Sequence, residues 1–376
     1  MALLVAATLP AQDASPCNNT PAYTTCELVF ELSEAAAARN PEPYKTVDLK
    51  AEFRSPRHRT LALPAYWDGK RRIVVRFAPT EAGDWDYRLT SNVADFDGKI
   101  GKFTAAASPS PGFIHPENVH HWVYSERDER GLYRAHLWMG AAEMRFATED
   151  DATFRAVADA RAAQKFNHMR GFIGGEGADA VFQNPDSPNL EHFRRLDERI
   201  RYLNAKGITA DLILAADGAA LSKSFPSWQQ RRRFLRYLVG RYAAMHVTWQ
   251  GVQYFEDSLD TRALLKETGA VLKELDGYQH PRTSGARVTS APLLDRDAFR
   301  AMAKRVQQSS GAKGKALFHP IRLALTGEQE GLELDLAVPL IESGAALRGA
   351  GIRSVSGAAD RAAAFLAELE KPDAHA

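Results

Sequence analysis

The first third of the chain alternates between apolar and polar positions in short runs. Turn-forming glycine and proline residues separate four such runs, which lie at 27–32, 47–53, 73–77 and 85–89. Alternation gives a strand one face toward a core and one toward water. Several strands of this kind, closely spaced, predict an antiparallel β-sandwich over residues 26–107.

The pattern changes after residues 108–112, where two prolines and a glycine predict a linker. Apolar spacing of the helical kind recurs at 154–165, 189–206 and 227–244. Before, between and after these helices we expect five strands, at 134–140, 166–173, 208–215, 247–253 and 281–289. Strand–helix alternation favours a parallel sheet. We therefore predict a partial (β/α)8-type barrel over 113–293, with five of its eight strands, and a helical segment over 294–376.

The first 25 residues resemble a secretory leader followed by a short tail. Residues 2–7 form the longest wholly apolar run, which is too short to cross a bilayer, so we expect no membrane insertion. Cys17 and Cys26 follow the leader. In an exported chain they would form a disulfide, whereas two free thiols would fit a cytosolic chain. The leader predicts a secreted or periplasmic protein; the alternative is an apolar terminus without a targeting role.

Composition narrows the classes of function. Hydrophobic residues make up 45% of the 376 residues, charged residues 25%, and the net charge is +1. These values predict multiple domains with real cores and exclude a disordered chain. Charge is uneven near the end: residues 295–322 hold seven basic and two acidic side chains, whereas 323–376 hold four and nine. The basic stretch suits phosphate contact or, equally, a solvated helix face.

Candidate catalytic groups follow the predicted barrel strands. In a barrel, reactive side chains stand at the carboxyl ends of the strands, and carboxylates there can act in general acid/base catalysis. Glu256 and Asp257 follow the fourth strand, so one of them is the candidate acid/base, with a structural role as the alternative. Seven further candidates for substrate contact lie near strand ends: His168, Arg170, Glu176, Asp217, Trp249, His280 and Arg282. Trp138, like Trp249, could offer an apolar stacking face to a substrate, with burial in the core as the alternative. No nucleotide or zinc motif is present, so we predict no cofactor and no metal site.

Several motifs in residues 26–293 resemble one family of hydrolases. The motifs occur in order, and include Phe53-Arg-Ser-Pro56, Tyr66-Trp-Asp-Gly69, Gly83-Asp-Trp-Asp-Tyr87, Phe166-Asn-His-Met-Arg-Gly171 and His280-Pro-Arg-Thr283. Together they resemble apiosidase-like glycoside hydrolases with their N-terminal immunoglobulin-like domain. The resemblance implies hydrolysis of O-glycosidic bonds in an oligo- or polysaccharide. The partner carboxylate is expected on a late strand, where the resemblance has stopped, so we expect impaired activity.

The last segment resembles a different family. Phe299, Lys304-Arg-Val306 and the block from Lys313 to Gly327 are similar to the anticodon-binding region of bacterial glutamyl-tRNA synthetases. The resemblance implies a cytoplasmic tRNA-binding fragment in which Lys313, Lys315 and Arg322 contact the nucleic acid. A third alternative is a fused gene product without selected activity. The sequence predicts neither the sugar nor the oligomeric state.

Overall fold

The computed structural model describes residues 15–118, 121–174, 181–255, 261–284, 295–346 and 355–369. The chain divides into two compact units, residues 1–286 and 287–376. Seventeen strands and eleven helices lie in the described ranges. The sandwich and the parallel sheet both belong to the first unit, and the second unit is helical.

The N-terminal part of the first unit is a two-sheet sandwich. Its strands are β1 (Cys26–Glu31), β2 (Leu49–Arg54), β3 (Thr60–Pro64), β4 (Tyr66–Trp67), β5 (Arg72–Phe77), β6 (Gly83–Ser91) and β7 (Ile100–Ala105). Two short helices follow β1: α1 (Glu34–Arg39) and α2 (Pro43–Thr46). The sheets have strand orders β1-β5-β4 and β3-β2-β6-β7, both antiparallel. Phe53 and Phe77 stack between them with ring centroids 3.9 Å apart.

The two cysteines form a disulfide, Cys17–Cys26. The sequence left bonded and free thiols open, and the bonded alternative is the one observed. Cys17 is fully buried in the sandwich core. The disulfide therefore fixes the segment before β1 to that core.

A small antiparallel sheet follows the linker and corrects one predicted strand. It contains β8 (Ile114–Pro116), β9 (Trp122–Arg127) and β10 (Tyr133–His136), in the order β10-β9-β8. We expected residues 134–140 to be the first barrel strand. Instead, β10 pairs with β9 as a hairpin, and the first parallel strand begins only at Gly140.

Five parallel strands form the sheet of the barrel segment. They are β11 (Gly140–Ala142), β12 (His168–Phe172), β15 (Thr209–Asp217), β16 (Val247–Tyr254) and β17 (Arg282–Thr283), and their spatial order equals their order along the chain. A short hairpin, β13 (Phe182–Asn184) with β14 (Ser187–Pro188), lies between β12 and α4. The intervening helices are α3 (Asp151–Ala163), α4 (Leu190–Ala205), α5 (Gly218–Ser224), α6 (Trp228–Tyr242) and α7 (Thr261–Leu275). The prediction of five consecutive strands of a (β/α)8-type barrel is confirmed.

Local sequence signals define the helix ends. The Asn189 side chain accepts a hydrogen bond from the backbone N–H of His192 at the start of α4. After α4 the chain turns at Gly207, which has φ +74°, a value that glycine adopts without a Cβ clash. Ser227 and Gln230 form a capping box at the start of α6. These ends orient α4 and α6 so that their apolar sides cover one face of the sheet.

A buried cluster of charges joins the sandwich to the barrel segment. Asp197 on α4 accepts hydrogen bonds from Arg76 of β5 at 2.7 Å and from Arg241 of α6 at 2.8 and 2.9 Å. All three side chains are at most 6% exposed. Burial alone would raise the pKa of the Asp197 carboxyl, but the two guanidinium groups outweigh burial and lower it. The sandwich and the sheet therefore share a polar centre as well as apolar contacts.

The second unit contains four helices around a small core. They are α8 (Arg296–Ser310), α9 (Lys315–Thr326), α10 (Leu334–Ala346) and α11 (Ala358–Leu369). Five buried residues form the core: Phe299, Leu325, Leu334, Val338 and Ala358. This confirms the prediction of a helical C-terminal segment.

Candidate functional site

The parallel sheet has one apolar face and one polar face. Met169, Leu212 and Trp249 lie in the core formed with the helices. Because side chains alternate along a strand, their neighbours Arg170, Asp211, Thr248 and Gln250 lie on the opposite face. Parallel pairing places Arg170 opposite Asp211, and Asp211 opposite Thr248. The polar side chains therefore form a row across three neighbouring strands.

A chain of short hydrogen bonds crosses this face. His168 Nδ1 lies 2.7 Å from Asp211 Oδ1, and the Thr248 hydroxyl donates to the same oxygen at 2.7 Å. His168 Nε2 lies 2.8 Å from His136 Nε2, so one of the two nitrogens must donate and the other accept. All four side chains are buried. The antiparallel β8–β10 sheet is thus connected to the parallel sheet through a pair of imidazoles.

His136, at one end of this series of hydrogen bonds, lies in an environment that favours a neutral imidazole. Burial lowers the pKa of His136 to about 4, and the neighbouring His168 contributes in the same direction. His136 Nδ1 is buried without a hydrogen-bond partner. The His136 and Tyr124 rings lie nearly perpendicular to each other, with centroids 4.9 Å apart. The neutral form of His136 is therefore the one that this environment stabilises.

The polar row opens into a cleft of about 500 Å³. Trp122 and Trp138 form part of its wall, with ring centroids 5.3 Å apart. Trp138 also stacks on His168 at 3.7 Å with an angle of 11° between the ring planes. Arg170, Gln250 and Arg282 are among the other lining residues. Aromatic faces beside polar groups are the combination that sugar rings contact in proteins.

Three of the predicted site residues lie outside the described residues. These are the candidate acid/base residues Glu256 and Asp257, and Glu176. Strand β16 ends at Tyr254, two positions before Glu256. The assignment of a catalytic carboxylate to this position stays a prediction.

The other predicted substrate contacts separate into two groups. His168, Arg170 and Arg282 lie on or beside the cleft. Asp217 accepts a hydrogen bond from the Ala220 N–H at 2.7 Å and caps α5. Trp249 is 0% exposed and donates its indole N–H to Asp276, so it packs in the core and leaves no face for a sugar. His280 is also buried, with Nδ1 3.0 Å from the same carboxylate.

Sequence reasoning missed several cleft residues. Trp122, His136, Asp211, Thr248 and Gln250 were not singled out. Side chains alternate between the two faces of a strand, so the predicted strands 208–215 and 247–253 already indicate that Asp211, Thr248 and Gln250 lie on the face opposite Leu212 and Trp249. The pairing of His136 with His168 has no such signal, since it depends on how a separate hairpin contacts the sheet.

The three basic candidates of the second unit have different environments. Lys313 and Lys315 are exposed around the start of α9. Arg322 is partly buried and donates to the Leu332 carbonyl at 2.8 Å. Both lysines are therefore accessible to a phosphate group, whereas the Arg322 guanidinium already makes a hydrogen bond within the second unit.

Within the described ranges, no group of three or more His, Cys, Asp or Glu residues is arranged to hold a metal ion. The helices in those ranges include none with both the length and the apolar character that a membrane span requires.

Comparison with known structures relates most of the chain to a glycoside hydrolase by fold. A provisionally assigned glycoside hydrolase of Bacteroides vulgatus ATCC 8482 has a similar structure, with a TM-score of 0.61 and 20% identity. The match covers 77% of this chain and 63% of that protein. A family model described as a domain of unknown function, DUF5060, matches residues 19–92. The hydrolase-like architecture is therefore shown at the level of fold.

A second set of matches relates the C-terminal part to glutamate–tRNA ligases. The family model of an anticodon-binding domain matches residues 215–348. The glutamate–tRNA ligase of Bacillus subtilis strain 168 is 32% identical over 124 residues, and that of Sulfurihydrogenibium sp. strain YO3AOP1 is 46% identical over 55 residues. The matches cover 33% and 15% of this chain, but only 25% and 12% of the ligases. The chain thus spans about a quarter or less of these relatives.

The anticodon-binding match begins earlier than the sequence predicted. We expected the resemblance to start near residue 294, and the family model starts at residue 215, at the end of β15. Residues 215–286 belong to the same compact unit as the sandwich. One stretch of sequence therefore resembles an anticodon-binding domain and folds into part of the parallel sheet.

Proposed function

We propose that this protein binds an oligo- or polysaccharide in the cleft of the parallel sheet and that its hydrolysis of glycosidic bonds is weak or absent. The observation that carries the proposal is the cleft itself, in which two tryptophans stand beside unsatisfied polar groups on a hydrolase-like sheet. A sugar ring presents an apolar face to an indole and hydroxyl groups to polar side chains.

Weak turnover follows from the number of strands. A glycosidase needs a second carboxylate at a defined distance from the first, on the opposite side of the scissile bond. Residues 140–284 provide five parallel strands, and the match to an anticodon-binding domain runs from residue 215 to residue 348. Glu256 or Asp257 is the proposed acid/base, and the described residues offer no matching carboxylate across the cleft.

Two measurements on the full chain test this proposal. Isothermal titration calorimetry with a panel of oligosaccharides should detect binding, and a reducing-sugar assay should detect little release. Any release should disappear in Glu256→Gln or in Asp257→Asn, but persist in Asp86→Asn, which changes an exposed carboxylate on β6 of the sandwich. Absence of binding across the panel would refute the proposal.

A second candidate function rests on the anticodon-binding match. We infer that Lys313 and Lys315 contact tRNA phosphates, with Arg322 contributing from the same helix. The family-model match and the exposure of both lysines support this function.

The test is salt-dependent binding of the full chain to unfractionated tRNA. The double variant Lys313→Gln/Lys315→Gln should weaken binding and lower the slope of log affinity against log salt by roughly one per lost phosphate contact. The matched variant Lys99→Gln/Lys102→Gln, which alters exposed lysines of the sandwich, should bind as the parent does. Equal loss in both variants would indicate nonspecific attraction and contradict the proposed site.

A further inference from the structure

The cleft contains a guanidinium whose nearest potential partner is already occupied. Arg170 and Asp211 are paired across β12 and β15 and lie on the same face of the sheet. However, Asp211 Oδ1 is bonded to both His168 and Thr248. Among the described residues, the Arg170 side chain has neither a hydrogen bond nor an ion pair, although it is partly buried. A partly buried cation without a partner favours an anionic ligand.

A second cation lines the same cleft from another strand. Arg282 is exposed at the start of β17, and its nearest polar atoms are long contacts, 3.4 Å to the His280 carbonyl and 3.5 Å to Gln279 Oε1. These distances are those of weak hydrogen bonds. Arg282 therefore adds positive charge to the cleft without being committed to an internal partner.

The same cleft contains a buried hydrogen-bond acceptor without a donor. Gln250 is 1% exposed and lines the cleft. Its amide nitrogen donates to Gln253 Oε1 at 2.7 Å and to the Val252 carbonyl at 3.2 Å, whereas Gln250 Oε1 has no partner. A buried amide oxygen without a donor is uncommon in folded proteins. A ligand hydroxyl would satisfy it.

We infer that the cleft selects an acidic sugar, specifically the uronic acid residue of an oligosaccharide. Arg170 would bind the carboxylate through two parallel hydrogen bonds, Arg282 would add long-range attraction, and Gln250 Oε1 would accept from a ring hydroxyl. The Trp122–Trp138 wall would contact the apolar face of a sugar ring. This inference rests on the proposed carbohydrate binding and narrows it to a substrate class.

The geometry of the Arg170 guanidinium favours a single carboxylate as its partner. The cleft-lining residues described here include two arginines and one carboxylate, and that carboxylate is already bonded to an imidazole and a hydroxyl. One planar guanidinium matches one planar carboxylate in geometry. The tryptophan wall and the amide acceptor add recognition that a bare anion would not use.

The decisive experiment compares two ligands that differ only in charge. Trigalacturonic acid and its methyl ester should be titrated into the full chain by calorimetry at low ionic strength. The acid should bind about tenfold or more tightly than the ester, since charged hydrogen bonds contribute on this scale. This preference should shrink as salt is added.

Variants of the full chain assign the preference to Arg170. Arg170→Gln should remove the preference for the acid, and Arg170→Lys should retain part of it because the charge remains without the paired donors. Arg88→Gln, which alters an exposed arginine of the sandwich, should bind as the parent does. If Arg170→Gln fails to fold, Arg282→Gln provides the test at an exposed position and should reduce the preference by a smaller factor.

The outcomes separate this inference from the proposed function. Equal binding of acid and ester would overturn the selection of acidic sugars and leave carbohydrate binding supported. Failure of both ligands to bind would overturn both. Displacement of the acid by equimolar sodium sulfate would also overturn the inference, because it would indicate a general anion site. An unchanged preference in Arg170→Gln would overturn it as well.

Discussion

Each unit of this chain contains an aspartate that bridges two arginines, and their surroundings differ. In the first unit, Asp197 joins Arg76 and Arg241, and no side chain of the three is more than 6% exposed. In the second unit, Asp335, whose side chain is 14% exposed, joins Arg296 and Arg300, whose side chains are 51% and 56% exposed. The same chemistry thus occurs once in a core and once at a surface.

The two bridges differ in their exposure to water and in the parts of the molecule that they connect. Removing one partner of a buried ion pair leaves an uncompensated charge, whereas water and salt screen an exposed pair. Arg76 comes from the sandwich, and Asp197 and Arg241 come from the barrel segment. Tyr66 of the sandwich also accepts from Arg76, at 2.9 Å. The buried bridge therefore makes the sandwich and the incomplete barrel interdependent, while the exposed bridge links only α8 to α10.

The largest expected effect comes from neutralising the buried bridge. Asp197→Asn keeps the shape and leaves two buried guanidinium groups facing a neutral amide. Arg76 keeps Glu27 and Arg241 keeps Asp68 as carboxylate partners, so we expect a loss of about 3 kcal/mol of unfolding free energy, the low end of the range for a broken buried pair. Guanidinium chloride unfolding followed by tryptophan fluorescence measures this directly, because all six tryptophans lie between residues 67 and 249, in the first unit.

The exposed bridge supplies the matched control. Asp335→Asn should leave the fluorescence transition unchanged and produce little change in the helical signal by circular dichroism. Comparable losses in the two variants would mean that burial does not distinguish the bridges, and the comparison would fail.

The next effect comes from the close approach of α6 to the sandwich. A Cβ added at Gly240 would lie 2.8 Å from the Pro64 carbonyl oxygen of β3, a backbone atom that cannot easily move. Gly240→Ala should therefore destabilise the first unit by about 1–3 kcal/mol, the range typical of overpacking. Thermal unfolding monitored by tryptophan fluorescence is the appropriate measurement.

Gly269 provides the control, because its substitution by alanine changes helix propensity without creating a close contact. Gly269 in α7 has no atom within 4 Å of an added Cβ. Gly269→Ala should stabilise the protein by about 1 kcal/mol, because alanine is the better helix former. If both substitutions stabilise, the contact between α6 and the sandwich is looser than the structure indicates.

The last expected effect is absent at neutral pH and appears on acidification, as a pH dependence of the stability of the first unit. The pKa of His136 is about 4 in the folded chain, because of burial and His168, against 6.5 for an ordinary histidine. The unfolded state therefore takes up the proton first. The contribution of neutral His136 to stability is complete above pH 6.5 and is lost progressively as the pH falls toward 4. His246, whose pKa burial also lowers to about 4, adds to the same loss.

Fluorescence-monitored unfolding at a series of pH values tests this window. His136→Gln should lower stability at neutral pH but flatten the dependence between pH 6.5 and 4. The exposed His121 provides the matched control, since His121→Gln should leave the slope as it is. An unchanged slope in His136→Gln would show that this imidazole does not contribute to the acid sensitivity.

Elements defined by local patterns were predictable, and contacts between distant segments were not. Predicted strands 166–173, 208–215 and 247–253 correspond to β12, β15 and β16, and predicted helix 189–206 corresponds to α4. The first barrel strand was misplaced because residues 133–136 have strand character whichever sheet they join. Only the pairing of β10 with β9 decides between the two sheets, and pairing is a property of the folded chain.

The cleft residues were predictable only where a local strand pattern places them. Arg170 follows from its position on a strand, and Asp211 and Thr248 follow from alternation once strand register is known. The hydrogen bonds of His168 to His136 and Asp211 join residues 32 and 43 positions away. Sequence periodicity contains no information about such contacts. Burial of Trp249 likewise depends on which face of β16 the helices cover.

The identity of spatial and chain order in the parallel sheet has a consequence for how the molecule is made. Each strand pairs with the one that precedes it along the chain, so a strand leaving the ribosome finds its neighbour already synthesised. Such a sheet can form from its first strand to its last, and no strand needs a partner that is synthesised much later. Growth of this kind leaves each strand of the described sheet paired as soon as it is made, whichever strand follows.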